Sequence, residues 1–202
     1  MPLALIYNPR MTKIIIGERI GKNRHLGVGC SISIFDLKRE KVLLIRRANN
    51  GKWAVPCGYM EAGGSFSEAC KREVKEETGL SVREKRLAGV YTSPNLLLEY
   101  PDGNKWQLVI LRFEADVVDG ELQARDKATE FGYFWLNEIG GLDMNELDRR
   151  RAIHGFQRIS EPVICDDFAF IERIERLRGS SKNSGALELV MEERMKDKAK
   201  GK

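Results

Sequence analysis

Glu73, Glu76 and Glu77 stand directly after Arg72 in a chain of 202 residues. On an α-helix, positions i, i+3 and i+4 share a face, so the three carboxylates crowd together. Neighbouring like charges destabilise a bare helix, whereas a site for a hard divalent cation requires such a set of oxygen ligands. A lone Glu-Glu pair on a helix is usually no more than a solvated surface. Here the pair belongs to a longer pattern: Gly58, then fourteen residues on Arg72-Glu73, apolar Val74, a spacer, Glu76-Glu77, a spacer, Gly79 and apolar Leu80. At average residue frequencies such a pattern arises by chance on the order of once in a hundred million windows.

The helix that must carry these carboxylates has marked ends. Ser65 and Glu68 form a capping-box pair at its start, and Gly79 sits where a left-handed residue ends a helix. Phe66, Cys70 and Val74 recur every four residues and provide a stripe to bury. Upstream, residues 27–35 and 41–46 read as two strands of a hairpin across a polar DLKRE turn. The loop RANNGKW follows, and the glycine-rich segment 57–64 reads as irregular. Downstream, strands are expected at 87–92, 106–117 and 131–136, with Asp102-Gly103 as a turn after the LLLEY run. Helical spacing appears over 144–158 and 168–178. The composition of 179–185 is that of a flexible linker, followed by a charged tail. This divides the chain into a domain at 1–160, a helical extension at 161–178 and a flexible tail at 179–202.

The segment 58–80 resembles the Nudix box, GX5EX7REUXEEXGU with U a bulky apolar residue. Gly58, Arg72, Glu73, Val74, Glu76, Glu77, Gly79 and Leu80 match it. The context before the box (Arg46-Arg47, Gly51, Trp53, Pro56) is also similar, and weaker similarity extends over roughly residues 25–158. Two positions depart: Gly64 replaces the first box glutamate, and Pro56-Cys57-Gly58 stands where Pro-Gly-Gly is usual. The resemblance assigns the missing glutamate a bracing role in the loop and metal binding to the intact REUXEE part.

The resemblance implies an α/β chain with the Nudix fold, an α/β/α sandwich around a mixed sheet. It also implies hydrolysis of a phosphoanhydride in a nucleoside diphosphate derivative such as ADP-ribose, a dinucleotide or a nucleoside triphosphate. A carboxylate-lined cleft repels a polyanion unless cations intervene. Mg2+, with Mn2+ as a substitute, bridges that repulsion and activates water. Its expected ligands are Glu73, Glu76, Glu77 and a backbone carbonyl near Gly58, with Arg72 orienting the carboxylates. The general base is Glu73 or Glu130, the latter in a region where family members place an additional glutamate; as a plain residue, Glu130 is a loop-end surface carboxylate. Arg46 and Arg47 are candidates for substrate phosphates or else a solvent-facing pair. Tyr91, Tyr100 and Trp106 are candidates for stacking on a base, against ordinary strand packing.

Other classes find less support. Four scattered cysteines without a CxxC pair, and two histidines, give no structural zinc site, and separate thiols suit a reducing cytoplasm. No apolar run nears the roughly 18–20 residues that span a bilayer. The start, with apolar Leu3 to Tyr7 but no basic leader, reads poorly as a signal peptide, and Met11 leaves a second start open. Half of the net charge of +4 lies after residue 178, where six Lys/Arg face four Asp/Glu, so a basic pI argues little for nucleic acid. The expected partner is a small nucleotide substrate, without membrane or nucleic acid; a homodimer stays open. The rival readings are a module that senses a nucleotide-sugar without cutting it, and an RNA 5′-pyrophosphohydrolase.

Overall fold

A computed structural model of the chain describes residues 13–125, 127–157 and 161–166. In chain order its elements are β1 (Lys13–Ile16), β2 (His25–Ile34), β3 (Lys41–Arg47), β4 (Trp53–Ala54), β5 (Cys57–Tyr59), α1 (Phe66–Thr78), β6 (Ser81–Thr92), β7 (Leu96–Glu99), β8 (Lys105–Asp119), β9 (Ala128–Trp135), α2 (Leu136–Ile139), α3 (Glu146–Gly155) and β10 (Val163–Cys165). The helix read at 168–178, the linker and the tail lie outside the described residues. No described helix is long and apolar enough to cross a membrane.

Strand β8 is the spine of the larger sheet. Strand β2 runs parallel along one edge, from His25 opposite Trp106 to Ile34 opposite Ala115. Strands β6 and β7 share the other edge, both antiparallel. Strand β1 continues outward from β7, β5 from β2, and β10 lies parallel to β6. Strands β4, β3 and β9 form a second, antiparallel sheet. This is the mixed α/β arrangement expected.

Alternate side chains of a strand face opposite sides, and β8 uses both. Phe113 and Ala115 join Cys30, Ile32, Ile34 and Val82 beneath Ala69, Cys70 and Val74 of α1. Leu108 and Ile110 face the other way, packing with Tyr91 and Cys165. A separate core joins Val42, Leu44 and Val55 to Ile139 of α2 and to Ala152 and Ile153 of α3. Helices therefore press on the strands from two directions.

Three expectations are corrected. Strands β2 and β3 do not form a hairpin ladder; beyond one bridge between Phe35 and Val42 they belong to different sheets. The reason is that β5 and β8 occupy the two edges of β2, so β3 pairs with β4 and β9 instead. The segment at 57–64 begins as a strand, with Cys57 to Tyr59 paired to Ser31 to Gly29. Residues 163–165, placed in a helical extension by their sequence, form β10 against β6.

Candidate active site

Helix α1 delivers the carboxylates with the ends expected. The Ser65 side chain accepts the Glu68 N–H while the Glu68 side chain accepts the Ser65 N–H, and Gly79 closes the helix at φ 79°. Its buried side includes Glu73 and Glu77, only 4% and 3% exposed, beside Cys70 and Val74. Two buried carboxylates one turn apart are costly unless something positive meets them.

Each has partial compensation. Arg72 donates to Glu73 Oε1 at 2.6 Å and to the Tyr59 carbonyl at 2.7 Å, tying the helix to the loop before it. Lys127 Nζ donates to Glu73 Oε2 at 3.0 Å and to Glu76 Oε2 at 2.6 Å. That ammonium holds the Glu76 carboxyl below the usual range. The Cys57 N–H donates to Glu77 Oε2 at 3.0 Å. Burial nevertheless pushes the Glu77 carboxyl up to about 8, outweighing Arg47 and the Cys57 N–H. Negative charge is thus under-compensated at Glu77. Among the described residues no three His, Cys, Asp or Glu side chains form a ready metal cluster; Glu73 and Glu76 turn to Lys127, and Glu77 to the strand. The donors present are carboxylate oxygens and main-chain carbonyls, which suit a hard cation.

Gly58 is demanded by packing. A Cβ there would lie 1.9 Å from Glu73 Cδ. Gly58→Ala must displace a buried, doubly bonded carboxylate. It is expected to cost about 1–3 kcal/mol by overpacking and to lower activity at least ~10-fold by misplacing Glu73. Thermal melting and a hydrolysis assay check this; wild-type turnover in the variant would show that Glu73 needs no such seat.

Gly64 is a different case. The left-handed conformation belongs to its neighbour Gly63, at φ 86°, and a Cβ on Gly64 would meet only Glu61 O at 3.4 Å and Glu68 Oε2 at 3.8 Å. Room for a side chain exists. Gly64→Glu is therefore expected to change stability by no more than ~0.5 kcal/mol and to leave kcat/KM at or modestly above wild type. Loss of both activity and melting temperature on that variant would mean the loop is built around glycine.

Beside Gly58 opens a cavity of about 500 Å3. Tyr59, Leu96, Leu98, Tyr100, Leu108 and Ile110 line it on the side of the larger sheet, and Arg47, Asp148, Arg150 and Arg151 line its polar side. The hydroxyls of Tyr59 and Tyr100 touch, and burial pushes the Tyr100 phenol up to about 12. Arg47 donates to Cys57 Sγ at 2.8 Å and lies 3.9 Å from Asp148, which also pairs with Arg151. Burial pushes the Cys57 thiol up, against the pull of Arg47.

The sequence candidates separate accordingly. Arg47, Gly58, Tyr91 and Tyr100 line the cavity, and Tyr91 is buried there with its hydroxyl 2.9 Å from His154 Nδ1. Arg46 is exposed and pairs across the second sheet with Glu130 at 2.7 Å; neither lines the cavity. Trp106 lies on the cavity-facing side of β8 but packs tilted against His25, ring centroids 4.9 Å apart, outside the lining. Residues that sequence reasoning passed over are Lys127, Cys57, Asp148 and Arg151. Two of them had a signal: Cys57 as the departure from Pro-Gly-Gly, and Lys127 as a cation in the region where an extra glutamate was expected.

Residues 23–156 match the family model of the NUDIX domain. The chain belongs to the Nudix family. Its Nudix domain is similar to an ADP-ribose pyrophosphatase of Methanocaldococcus jannaschii, 37% identical over 158 residues that cover 76% of this chain and 88% of that protein. It is also similar to the uncharacterized Nudix hydrolase YvcI of Bacillus subtilis, 30% identical over 105 residues, or 52% of this chain and 65% of that protein. Among solved structures, an ADP-ribose pyrophosphatase from Streptococcus suis superposes with a TM-score of 0.54 at 19% identity, covering 68% of this chain and 98% of that one. A MutT protein from Methanosarcina mazei gives 0.54 at 23% identity, covering 67% and 96%. At such identities the structures speak for the Nudix fold alone. As a Nudix hydrolase, the protein acts on phosphoanhydride bonds.

Proposed function

We propose that this Nudix hydrolase cleaves the pyrophosphate bond of a nucleoside diphosphate derivative of the ADP-ribose class, with Mg2+ held by its box helix. The observation that carries the reading is the cavity at Gly58, whose aromatic and cationic walls include Cys57 and Gly58, the residues that back onto Glu77 and Glu73 of α1. A volume of about 500 Å3 is of the size that takes a small-molecule ligand. Support for ADP-ribose comes from the relative that bears that activity in its name and is matched over 88% of its length.

In this reading Glu73, Glu76, Glu77 and the Gly58 carbonyl would hold Mg2+. A bound Mg2+ supplies positive charge to the anhydride oxygens and acidifies water. Arg72 keeps the Glu73 carboxylate turned towards the loop. Arg47 offers a guanidinium at the cavity wall for a phosphate, and the rings of Tyr59 and Tyr100 offer faces for a base. Of the two carboxylates considered as general base, Glu73 stands against Gly58 whereas Glu130 is held by Arg46. Glu73 is the better placed.

The test is a substrate panel with Mg2+: ADP-ribose, NADH, nucleoside triphosphates and 5′-triphosphorylated RNA, with release of nucleoside monophosphate or phosphate measured. ADP-ribose is expected to give AMP with a kcat/KM at least ~10-fold above the rest, a margin of about 1.4 kcal/mol. Preference for RNA, weakened by salt, would select the RNA reading. Binding of a nucleotide-sugar with no turnover of any substrate would select the sensor.

A further inference from the structure

Lys127 is the feature of the site that the Nudix box does not include. Its main chain is anchored on both sides: its carbonyl accepts the Ala48 N–H at 3.0 Å, and Ala128 next to it exchanges hydrogen bonds with Arg125 at 2.8 and 3.0 Å. From that fixed point the side chain crosses to α1 and bridges Glu73 Oε2 and Glu76 Oε2. The other Glu73 oxygen already belongs to Arg72, so both oxygens of this buried carboxylate are engaged by cations.

We propose that Lys127 is a tethered counter-ion that competes with the divalent cation for Glu73 and Glu76, and so sets how much metal the enzyme needs; this rests on the metal site proposed above. Mg2+ binds oxygen at about 2.0–2.1 Å. A metal ion held by these two carboxylates would stand close to the ammonium, and the two cations would repel. The ammonium would therefore have to yield these oxygens for metal to bind tightly. The lysine stem permits this, because a flexible four-carbon chain swings while its backbone stays. The same contact offsets the repulsion between two carboxylates that lie three residues apart on the helix. The Lys127 side chain is 48% exposed, so its charge can be removed without opening the core.

The experiment is a Mn2+ titration of the substrate-free, full-length protein by calorimetry, comparing wild type, Lys127→Met and Lys127→Arg, with the Mg2+ dependence of hydrolysis measured alongside. Methionine keeps much of the stem and removes the charge. The Met variant is expected to bind Mn2+ roughly 2- to 5-fold more tightly, the scale of a partly exposed ion pair, and to reach half-maximal activity at proportionately lower Mg2+. The Arg variant is expected to stay near wild type. Equal or weaker Mn2+ binding by the Met variant overturns the role of Lys127 while leaving the metal site standing. Absence of Mn2+ binding in all three proteins overturns both.

Discussion

Hydrolysis is expected to fall to the uncatalysed background in excess chelator and to return when Mg2+ or Mn2+ is restored. The cause is electrostatic. Glu73 and Glu77 are almost wholly buried, and Glu76 joins them on the same helix. An approaching pyrophosphate is repelled by the carboxylates of Glu73 and Glu76, a repulsion that a divalent cation held there would relieve. Turnover is thus expected to depend on an added cation. Zn2+ is expected to be dispensable, since the donors offered by α1 are carboxylate oxygens, which suit a hard cation. The same cation should raise the melting temperature, because a ligand that binds only the folded state stabilises it. Undiminished turnover in excess chelator would sink the metal assignment.

Glu77→Gln is expected to lower kcat by at least ~10²-fold, the size of effect seen when a key electrostatic group is removed, without lowering the melting temperature of the metal-free protein. Glutamine retains an oxygen to accept the Cys57 N–H that now reaches Glu77 at 3.0 Å. What it removes is the charge. The sign for stability follows from the raised carboxyl, which moves from 4.5 to about 8 in the fold because burial penalises the ionised form. A group whose folded value is raised contributes most below the unfolded value and loses that contribution as pH climbs to the folded value. Metal-free wild type should therefore weaken, relative to the variant, between about 4.5 and about 8. Melting curves of both proteins across that range, with kcat measured in saturating Mg2+, check the two halves. A variant with near-normal kcat would remove Glu77 from the machinery.

The box helix was legible in the chain because everything that makes it is local. Ser65 and Glu68, Gly79, and the spacing of Glu73, Glu76 and Glu77 act over four residues or fewer, within reach of helix geometry. The matched residues 58–80 likewise carry the Nudix resemblance in the sequence alone. The departure at Gly64 was visible too, although its meaning was not: only the backbone shows that Gly63, not Gly64, takes the left-handed turn.

Contacts between distant parts of the chain were beyond such reasoning. Which strands share a sheet depends on which edges are taken, and β5 and β8 fill those of β2 while β3 pairs with β4 and β9. Gly58 looked like a loop glycine, yet it lies in a strand whose bareness admits Glu73. Arg46 and Arg47 are neighbours in sequence, but one meets Glu130 and the other meets Cys57 near Asp148. Lys127 reaches Glu73 across 54 positions, while Glu130, three residues further on, is turned to the second sheet. By itself, then, the sequence determined the family, the helix and the class of bond attacked, since these reside in short-range spacing. The tertiary structure decided which cations stand against the carboxylates and what walls the cavity, since strand register and close packing are settled only when remote segments compete for the same edges and the same space.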